Sequence, residues 1–302
     1  MTRFTKQTID TNYSKISAYM KEKGFHDISE SNINLLFAIS QSEEARDVRD
    51  FFSGRGLPIV ESFHDLNASF ELIKLGIHKQ AFASLRMGLD NGLLAAYWNA
   101  VGYDTPEFKR WISSKEKTPR KNKKFWKRIR RLCGVGDFDE TFSFQQVIED
   151  LNHQLNDYVH TKGFWYSTMG GFQRRIRSQN ENVDCDKWYK LFVATTRVVV
   201  TLQLLVKPKL AIVIPDAYLL RKFGSYDHIP FCGVLFGDYS GRIKACIGDA
   251  EYDKIAAIAN SSPEVEEVLR YLESCPDLTD DEIRERSYES CKSSGFDERT
   301  VK

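Results

Sequence analysis

The chain has 302 residues, which is enough to bury a sizeable hydrophobic core in either one large domain or two ordinary ones. Its hydrophobic share of 42% and charged share of 28% are those of ordinary globular proteins, which excludes wholesale disorder. The net charge of +1 conceals an uneven distribution, because residues 109–131 contain twelve Lys or Arg and one acid, so that the remainder of the chain is acidic.

The spacing of apolar residues predicts a mainly α protein. Residues 1–60 are predicted to form helices that pack on a helical bundle made by residues 61–215. Within the bundle, apolar residues recur every three or four positions over residues 69–100, which predicts one long helix with a buried stripe. The same periodicity predicts a helix from about Cys185 to Val206, which Pro208 should end.

Two features are predicted between these helices. The basic segment, residues 109–131, should be a partly irregular connection that leads into a short helix at about residues 125–132. Another helix should begin near Ser143, which could act as its N-cap with Gln146 completing a capping box, and it should end before Gly163.

The character of the chain changes after Pro215. Val234–Phe236 and Arg242–Ile247 flank a glycine-containing loop, which predicts a β-hairpin. Residues 216–292 are therefore predicted to form a smaller α+β module, in which two helices follow the hairpin, and residues 293–302 should be a frayed tail. The predicted fold class is a helical bundle followed by this smaller α+β module.

Cysteines and hydropathy bear on the cellular location. The six cysteines are widely spread without a Cys-x-x-Cys pair, which argues against a zinc ribbon, a redox motif or a disulfide scaffold. The most apolar stretch, Val198–Pro215, is interrupted by Lys207 and Pro208, so no membrane span is expected. We expect a cytoplasmic protein with reduced thiols, or a nuclear one if its source has a nucleus, and we expect neither a metal nor a cofactor.

A polar strip accompanies the apolar face of the helix that begins near Ser143. Asn152, Asn156 and His160 follow one another at intervals of four residues, which places them on one side of a helix. Because the unperturbed pKa of histidine lies near neutrality, His160 could serve as a proton acceptor in catalysis. The alternative is an ordinary histidine that interacts with the carbonyl end of its helix.

A second polar pair interrupts the apolar surface of the predicted helix over residues 69–100. Arg86 and Asp90 are four residues apart and could form an ion pair on the helix surface that contributes little to stability. The functional interpretation is that Arg86 and Asp90 face Asn156 and His160 across a groove between two helices.

The basic segment is dense enough to contact several phosphates, and its aromatic residues Trp111, Phe125 and Trp126 could stack on exposed bases. Alternatives are a nuclear-import signal, a site for an acidic protein partner, or a solvated helix whose aromatic residues anchor it to the core. The residues that we predict to bind nucleic acid are Lys121, Lys123, Lys124, Trp126, Lys127, Arg128, Arg130 and Arg131.

Two segments resemble a known family. The run SFELIKLGIHKQAFASLRMGLDNGLLAAYW, followed later by LNHQLNDYVHTKG, resembles the two central helices of HEPN domains, which are helical modules of toxin-antitoxin and abortive-infection systems. Asp90 stands where that family usually has an acid, and His160 stands where its second helix ends in a histidine. The resemblance covers about residues 60–207.

The resemblance implies RNA as the partner and, in active members, metal-independent ribonuclease activity in antiphage defence, often as a homodimer. Such enzymes use an Arg separated from the His by four to six intervening residues, and this chain has His153, Gln154 and Leu155 there instead. Arg86, from the other helix, could replace that arginine only if folding brings it there. The candidate catalytic residues are His160, Arg86, Asp90 and Asn156. The departure favours an altered or non-catalytic member, and the alternative function is a non-enzymatic adaptor or scaffold that docks on a protein partner.

Overall fold

A computed structural model describes residues 6–43, 54–119, 123–132, 134–160, 162–168, 171, 182–225, 235–236 and 239–293. These residues form fourteen α-helices, two short 3₁₀ helices and one pairing of two-residue strands, so the mainly α character predicted from the sequence is confirmed. The elements in chain order are α1 (Lys6–Glu22), α2 (Phe25–Glu43), α3 (Leu57–Lys74), α4 (His78–Val101), α5 (Pro106–Ile112), α6 (Lys123–Ile129), α7 (Val135–Phe142), α8 (Phe144–Val159), a 3₁₀ helix (Phe164–Tyr166), α9 (Val183–Val206), a 3₁₀ helix (Pro208–Ala211), β1 (Val213–Ile214), α10 (Asp216–Phe223), β2 (Leu235–Phe236), α11 (Tyr239–Ile247), α12 (Asp249–Asn260), α13 (Pro263–Ser274) and α14 (Asp280–Ser293).

The prediction of a single helix over residues 69–100 is wrong, because the chain reverses direction between α3 and α4. Gly76 adopts a φ of 75°, a left-handed conformation that glycine tolerates best. Its amide donates to the carbonyl of Ile73 at 3.0 Å, and the amide of Ile77 donates to the carbonyl of Leu72 at 2.9 Å. These two bonds close α3 as a Schellman motif, so that α4 runs antiparallel to α3.

Helix α4 is the central element of the bundle and contacts α3, α6, α8 and α9. The apolar stripe predicted for it is confirmed, since all of its members are buried; they are Phe82, Leu85, Leu89, Leu93 and Ala96. Burial of a stripe of this kind against several neighbours is what holds an amphipathic helix in place.

Two glycines explain how α3 and α9 come so close to α4. A Cβ added at Gly88 would lie 2.7 Å from Cγ of Leu66 on α3, and one added at Gly92 would lie 2.6 Å from Cγ2 of Val199 on α9. Neither distance leaves room for a side chain. The two glycines that interrupt the apolar pattern of α4 are therefore positions where it closely approaches α3 and α9.

Helix α9 is the second central helix, and its prediction from the sequence is confirmed. It ends at Val206, just before Pro208, and it packs on α2, α4 and α11. By length and composition it could cross a membrane, but 67% of its most apolar window is buried against the rest of the chain. The indole N–H of Trp188 donates to Oγ of Ser69 at 2.8 Å, which ties α9 to α3 inside the core.

The predicted β-hairpin is wrong. Arg242–Ile247 belongs to helix α11, and Leu235–Phe236 pairs in parallel with Val213–Ile214 over two residues. No hairpin occurs among the residues that the structure describes. The reason is the spacing of Ile243, Cys246 and Ile247: it is three and four residues, which puts all three on one face of a helix, where they are buried.

The helices after β2 extend the main core. Buried residues of α11, α12 and the start of α13 belong to the same hydrophobic cluster as α4 and α9. A second, smaller cluster joins β1, α10 and α13 through Ile214, Leu219, Phe223, Val268 and Leu272. The helices predicted after the hairpin segment are present as α13 and α14. The tail was predicted over residues 293–302; Ser293 is the last residue of α14, and residues 294–302 lie outside the described residues.

Candidate functional site

Three of the four residues predicted for the catalytic site lie together where α4 meets α8. The Nε of Arg86 donates to Oδ1 of Asn156 at 2.9 Å, and an Nη atom of Arg86 forms an ion pair with Asp90 one turn along α4. The side chain of Arg86 is only 13% exposed, whereas Asp90 is partly open to solvent. The two polar strips therefore meet at the interface of the two helices.

The direction of α8 along α4 is set by aromatic packing. The ring of Tyr158 stacks on Phe82 with centroids 3.9 Å apart and planes within 12° of parallel. Since Tyr158 meets Phe82 while Asn156 meets Arg86, the two helices run antiparallel. The C-terminal end of α8 therefore lies beside the N-terminal half of α4.

His160 stands apart from this cluster. It follows the last residue of α8, its backbone amide donates to the carbonyl of Asn156 at 3.0 Å, and its side chain is exposed. Within the described part of the chain, its imidazole makes no hydrogen bond or ion pair with Arg86 or Asp90. The structure thus places His160 one turn beyond the Arg86–Asn156 contact and accessible to a ligand.

Burial changes the electrostatics of Arg86. Desolvation lowers the pKa of its guanidinium to about 10, so the group stays protonated at neutral pH. A buried cation of this kind needs compensation, which Asp90 supplies as a charge and Asn156 as a hydrogen-bond acceptor. The guanidinium is thereby held in one orientation, with Nε and one Nη atom engaged.

Helix α8 begins where the sequence predicted, directly after Ser143, but it lacks the predicted cap. Ser143 has a φ of 49° and its side chain makes no capping hydrogen bond, so the capping-box prediction is wrong. A residue of the preceding helix takes its place, because the amide of Gln145 donates to Oδ1 of Asp139 at 2.7 Å. The side chain of Gln146 donates instead to Asp150 at 2.8 Å.

A second polar pair on the other side of α4 was missed by sequence reasoning. The side-chain amide of Asn91 donates to Oδ2 of Asp65 on α3 at 2.9 Å. Burial raises the pKa of Asp65, even though the hydrogen bond from Asn91 lowers it. Asn91 interrupts the apolar surface of α4, and this was the one signal of the pair that the sequence offered.

The described residues hold no cluster of three or more His, Cys, Asp or Glu suited to a metal ion.

The described part of the basic segment holds more helix than its sequence suggested, since α5 extends into the segment ahead of α6. Helix α6 is anchored by Phe125, Trp126 and Ile129, all of which are buried. Phe125 stacks on Tyr97 of α4 with centroids 4.7 Å apart, and Trp111 of α5 packs on a core tryptophan. The aromatic residues expected to stack on bases are thus core anchors, including Trp126, which is 9% exposed.

The cations of α6 and of the turn that follows it divide into two groups. Arg128 is neutralised by Glu107, with nitrogen-to-oxygen distances of 2.9 and 3.0 Å, and Arg130 is within 3.4 Å of Asp139 and 3.3 Å of Glu140. The second group is exposed and consists of Lys123, Lys124, Lys127 and Arg131. We call these four residues the cationic face. In the described part of the chain, Lys123, Lys127 and Arg131 form no ion pair with an acid. Lys121 lies outside the described residues.

Two exposed aromatic residues lie four and five positions after His160, and sequence reasoning missed them. Phe164 and Trp165 are 49% and 42% exposed on the 3₁₀ helix that begins after Gly163. The next residue, Tyr166, packs edge-on against Tyr158 of α8 with centroids 5.1 Å apart. An aromatic run is ordinarily interpreted as core, so only the three-dimensional arrangement identifies these rings as surface residues.

In comparisons with known proteins, no family model, no curated protein and no solved structure matches the chain.

Proposed function

We propose that this chain binds RNA as a HEPN-like protein and acts in defence or stress response within a larger complex. The observation that carries the proposal is the hydrogen bond between Arg86 and Asn156. It joins the two helices whose sequences resemble the central pair of HEPN domains. It also holds a guanidinium one helical turn before His160, the position at which that family has its histidine.

The cationic face supplies the affinity for a polyanion. Three of its side chains are exposed on α6 and the fourth, Arg131, is exposed just after that helix. The other side of α6 is fixed in the core by Phe125, Trp126 and Ile129. A rigid row of exposed Lys and Arg attracts a phosphate backbone and releases its counterions on binding. RNA binding should therefore weaken steeply as salt is raised.

The two parts of the proposed surface lie along the same helix. Helix α6 packs beside Tyr97, and Arg86 lies eleven residues earlier on α4, about 16 Å along the helix axis. A bound strand that contacts the cationic face would have to run along α4 for this distance to reach the Arg86–Asn156 contact. The proposed ligand is thus a strand of several nucleotides rather than a single nucleotide.

Cleavage, as the second part of the proposal, would need no metal. The imidazole of His160 would take the proton of a ribose 2′-hydroxyl, the 2′-oxygen would attack the phosphorus, and the bond to the 5′-oxygen would break. The leaving oxygen would take a proton from the imidazolium or from water, which leaves a 2′,3′-cyclic phosphate and a 5′-hydroxyl. Arg86 would stabilise the negative charge on the phosphorus oxygens.

Salt-dependent binding of RNA tests the proposal. In wild-type protein, the logarithm of the affinity for a single strand should fall with the logarithm of salt by about 0.7 per neutralised phosphate. Lys123→Glu/Lys127→Glu should bind weakly and with a shallower slope. The matched control is Lys15→Glu/Lys21→Glu, which makes the same change of charge on the exposed side of α1 and should bind like wild type. Equal binding by both variants would contradict the proposal.

The second candidate function is a non-enzymatic adaptor that docks on a protein partner. Two observations favour it: Arg86 is engaged from two sides, as a purely structural arginine would be, and Leu269 and Tyr271 are exposed on the acidic helix α13. If wild-type protein binds no RNA even at low salt, this candidate replaces the first. Under either function we expect a homodimer, which light scattering on the purified chain would measure.

A further inference from the structure

We propose that Phe164 and Trp165 form a stacking platform for unpaired bases, so that the chain selects single-stranded over double-stranded RNA. The inference rests on the proposed RNA binding and specifies its ligand. Phe164 and Trp165 take the place of Trp111, Phe125 and Trp126, the residues expected from the sequence to stack on bases. Those three residues pack against the helical bundle instead.

The two rings are the aromatic surface nearest in the chain to His160. Their centroids are 5.7 Å apart and their planes are inclined by 75°, so each ring presents a different direction to its surroundings. Trp165 is the most exposed of the five tryptophans, since Trp98, Trp126 and Trp188 are buried and Trp111 is half-buried. Large rings left open at a surface mark a binding site more often than isolated apolar residues do.

The platform is anchored to the core of the bundle. Tyr166, the last residue of the same 3₁₀ helix, packs against Tyr158, and Tyr158 in turn stacks on Phe82 of the central helix. The short helix is thereby fixed to the core through one ring while its other two rings remain exposed. A preorganised platform of this kind loses little conformational entropy when a base stacks on it.

A cation lies on the aromatic rings that support the platform. The ammonium of Lys187 is 5.1 Å from the ring centroid of Tyr158 and 5.6 Å from that of Tyr166, the residue that follows Trp165. Lys162, two residues before Phe164, is 73% exposed, and Asp157 balances its charge in a 3.2 Å ion pair. Exposed aromatic rings next to cations are the combination that binds single strands, because the rings take the bases and the cations take the phosphates.

A duplex cannot use this platform. Its bases are stacked on one another, so their faces are closed to a protein ring, whereas a single strand can turn its bases outward. Both forms of RNA carry the phosphates that the cationic face of α6 would bind. The platform, and not α6, should therefore set the preference for single strands.

The test compares three probes on the full chain: a labelled single-stranded oligouridine, an RNA duplex of the same length, and inorganic polyphosphate. Trp165→Ala and Phe164→Ala should each weaken oligouridine binding about tenfold, because stacking on one ring contributes roughly a tenfold factor in affinity. Binding of the duplex and of polyphosphate should not change. Trp165→Phe, which keeps a ring, should restore most of the affinity.

The outcomes separate this inference from the function on which it rests. Oligouridine binding that depends on Lys123 and Lys127 but not on either ring would overturn the platform and leave RNA binding intact. Equal weakening for all three probes would also overturn it, because the rings would then act on fold or charge and not on bases. Wild-type protein that binds none of the probes would remove both proposals, and a surface for a protein partner would remain. Circular dichroism and thermal melting of each variant establish that the fold is kept.

Discussion

The side chains of Arg86 and Asn156, 70 positions apart in the chain, meet in a hydrogen bond of 2.9 Å across the interface of α4 and α8. The donor is a largely buried guanidinium whose pKa burial lowers to about 10, and its charge is balanced by Asp90. One contact thus has two consequences: it stabilises the packing of two helices, and it fixes the orientation of the cation that the proposed site would use.

We expect Asn156→Ala to lower the free energy of unfolding by about 1.5–3 kcal/mol, because it leaves a charged, largely buried donor without its acceptor. Urea denaturation measures this directly. The matched control is Asn152→Ala, one turn earlier on α8, where the buried Oδ1 accepts no hydrogen bond from the residues that the structure describes. If the two variants lose the same stability, the contact with Arg86 contributes nothing specific.

Helical periodicity predicted most of the core helices correctly. It failed where the conformation of a single residue ends a helix. The apolar stripe of α4 and the whole of α9 were recognisable because every member of each face is buried. The break at Gly76 was missed because a glycine within a periodic pattern is also tolerated inside a helix. The hairpin prediction was wrong because the spacing of Ile243, Cys246 and Ile247 fits one face of a helix better than one face of a strand.

The candidate site could be predicted only in part. The strips on α4 and α8 followed from intervals of four residues, but their meeting depends on how the two helices pack, which no local pattern specifies. The same limit explains why Asp139 was missed as the residue that caps α8, since it belongs to the preceding helix. It also explains Trp165, whose exposure is set by the anchoring of its neighbour Tyr166.

We expect His160→Gln to abolish RNA cleavage while leaving the fold unchanged. Its side chain is exposed and makes no hydrogen bond or ion pair with the described residues, so the free energy of unfolding should change by no more than about 0.5 kcal/mol. The control is His153→Gln on the same helix, which is also exposed and should cleave like wild type. Cleavage is followed on a labelled RNA with a chelator present. Activity that persists in His160→Gln excludes this histidine from the reaction.

We expect Gly88→Ala to destabilise the protein by about 1–3 kcal/mol, although alanine favours helices over glycine. The new Cβ would lie 2.7 Å from Cγ of Leu66, in a core without room for it. Gly136→Ala in α7 is the control, because its nearest neighbour would be the carbonyl oxygen of Arg130 at 3.7 Å, and it should be neutral or slightly stabilising. In a Leu66→Ala background the cost of Gly88→Ala should shrink, and a thermal-melting double-mutant cycle would measure this coupling.

Two buried thiols predict how stability depends on alkaline pH. Burial raises the pKa of both Cys185 and Cys246 to about 12 from the usual value of 9.0. Above pH 9 the unfolded chain therefore loses a proton from each thiol while the folded chain keeps it. Stability should be constant below about pH 9 and should fall as the pH rises toward 12, by up to about 1.4 kcal/mol per pH unit for each thiol.

Urea denaturation between pH 7 and pH 10 would measure this fall, since tyrosines begin to contribute above that range. Cys246→Ala removes one thiol, so it should lose stability at every pH through lost packing but should show a shallower decline above pH 9. Cys185→Ala should behave alike, and the double variant should decline least. A decline equally steep in wild type and in the double variant would mean that other groups cause the alkaline loss, because the two thiols would then be titrating alike in the folded and unfolded chains.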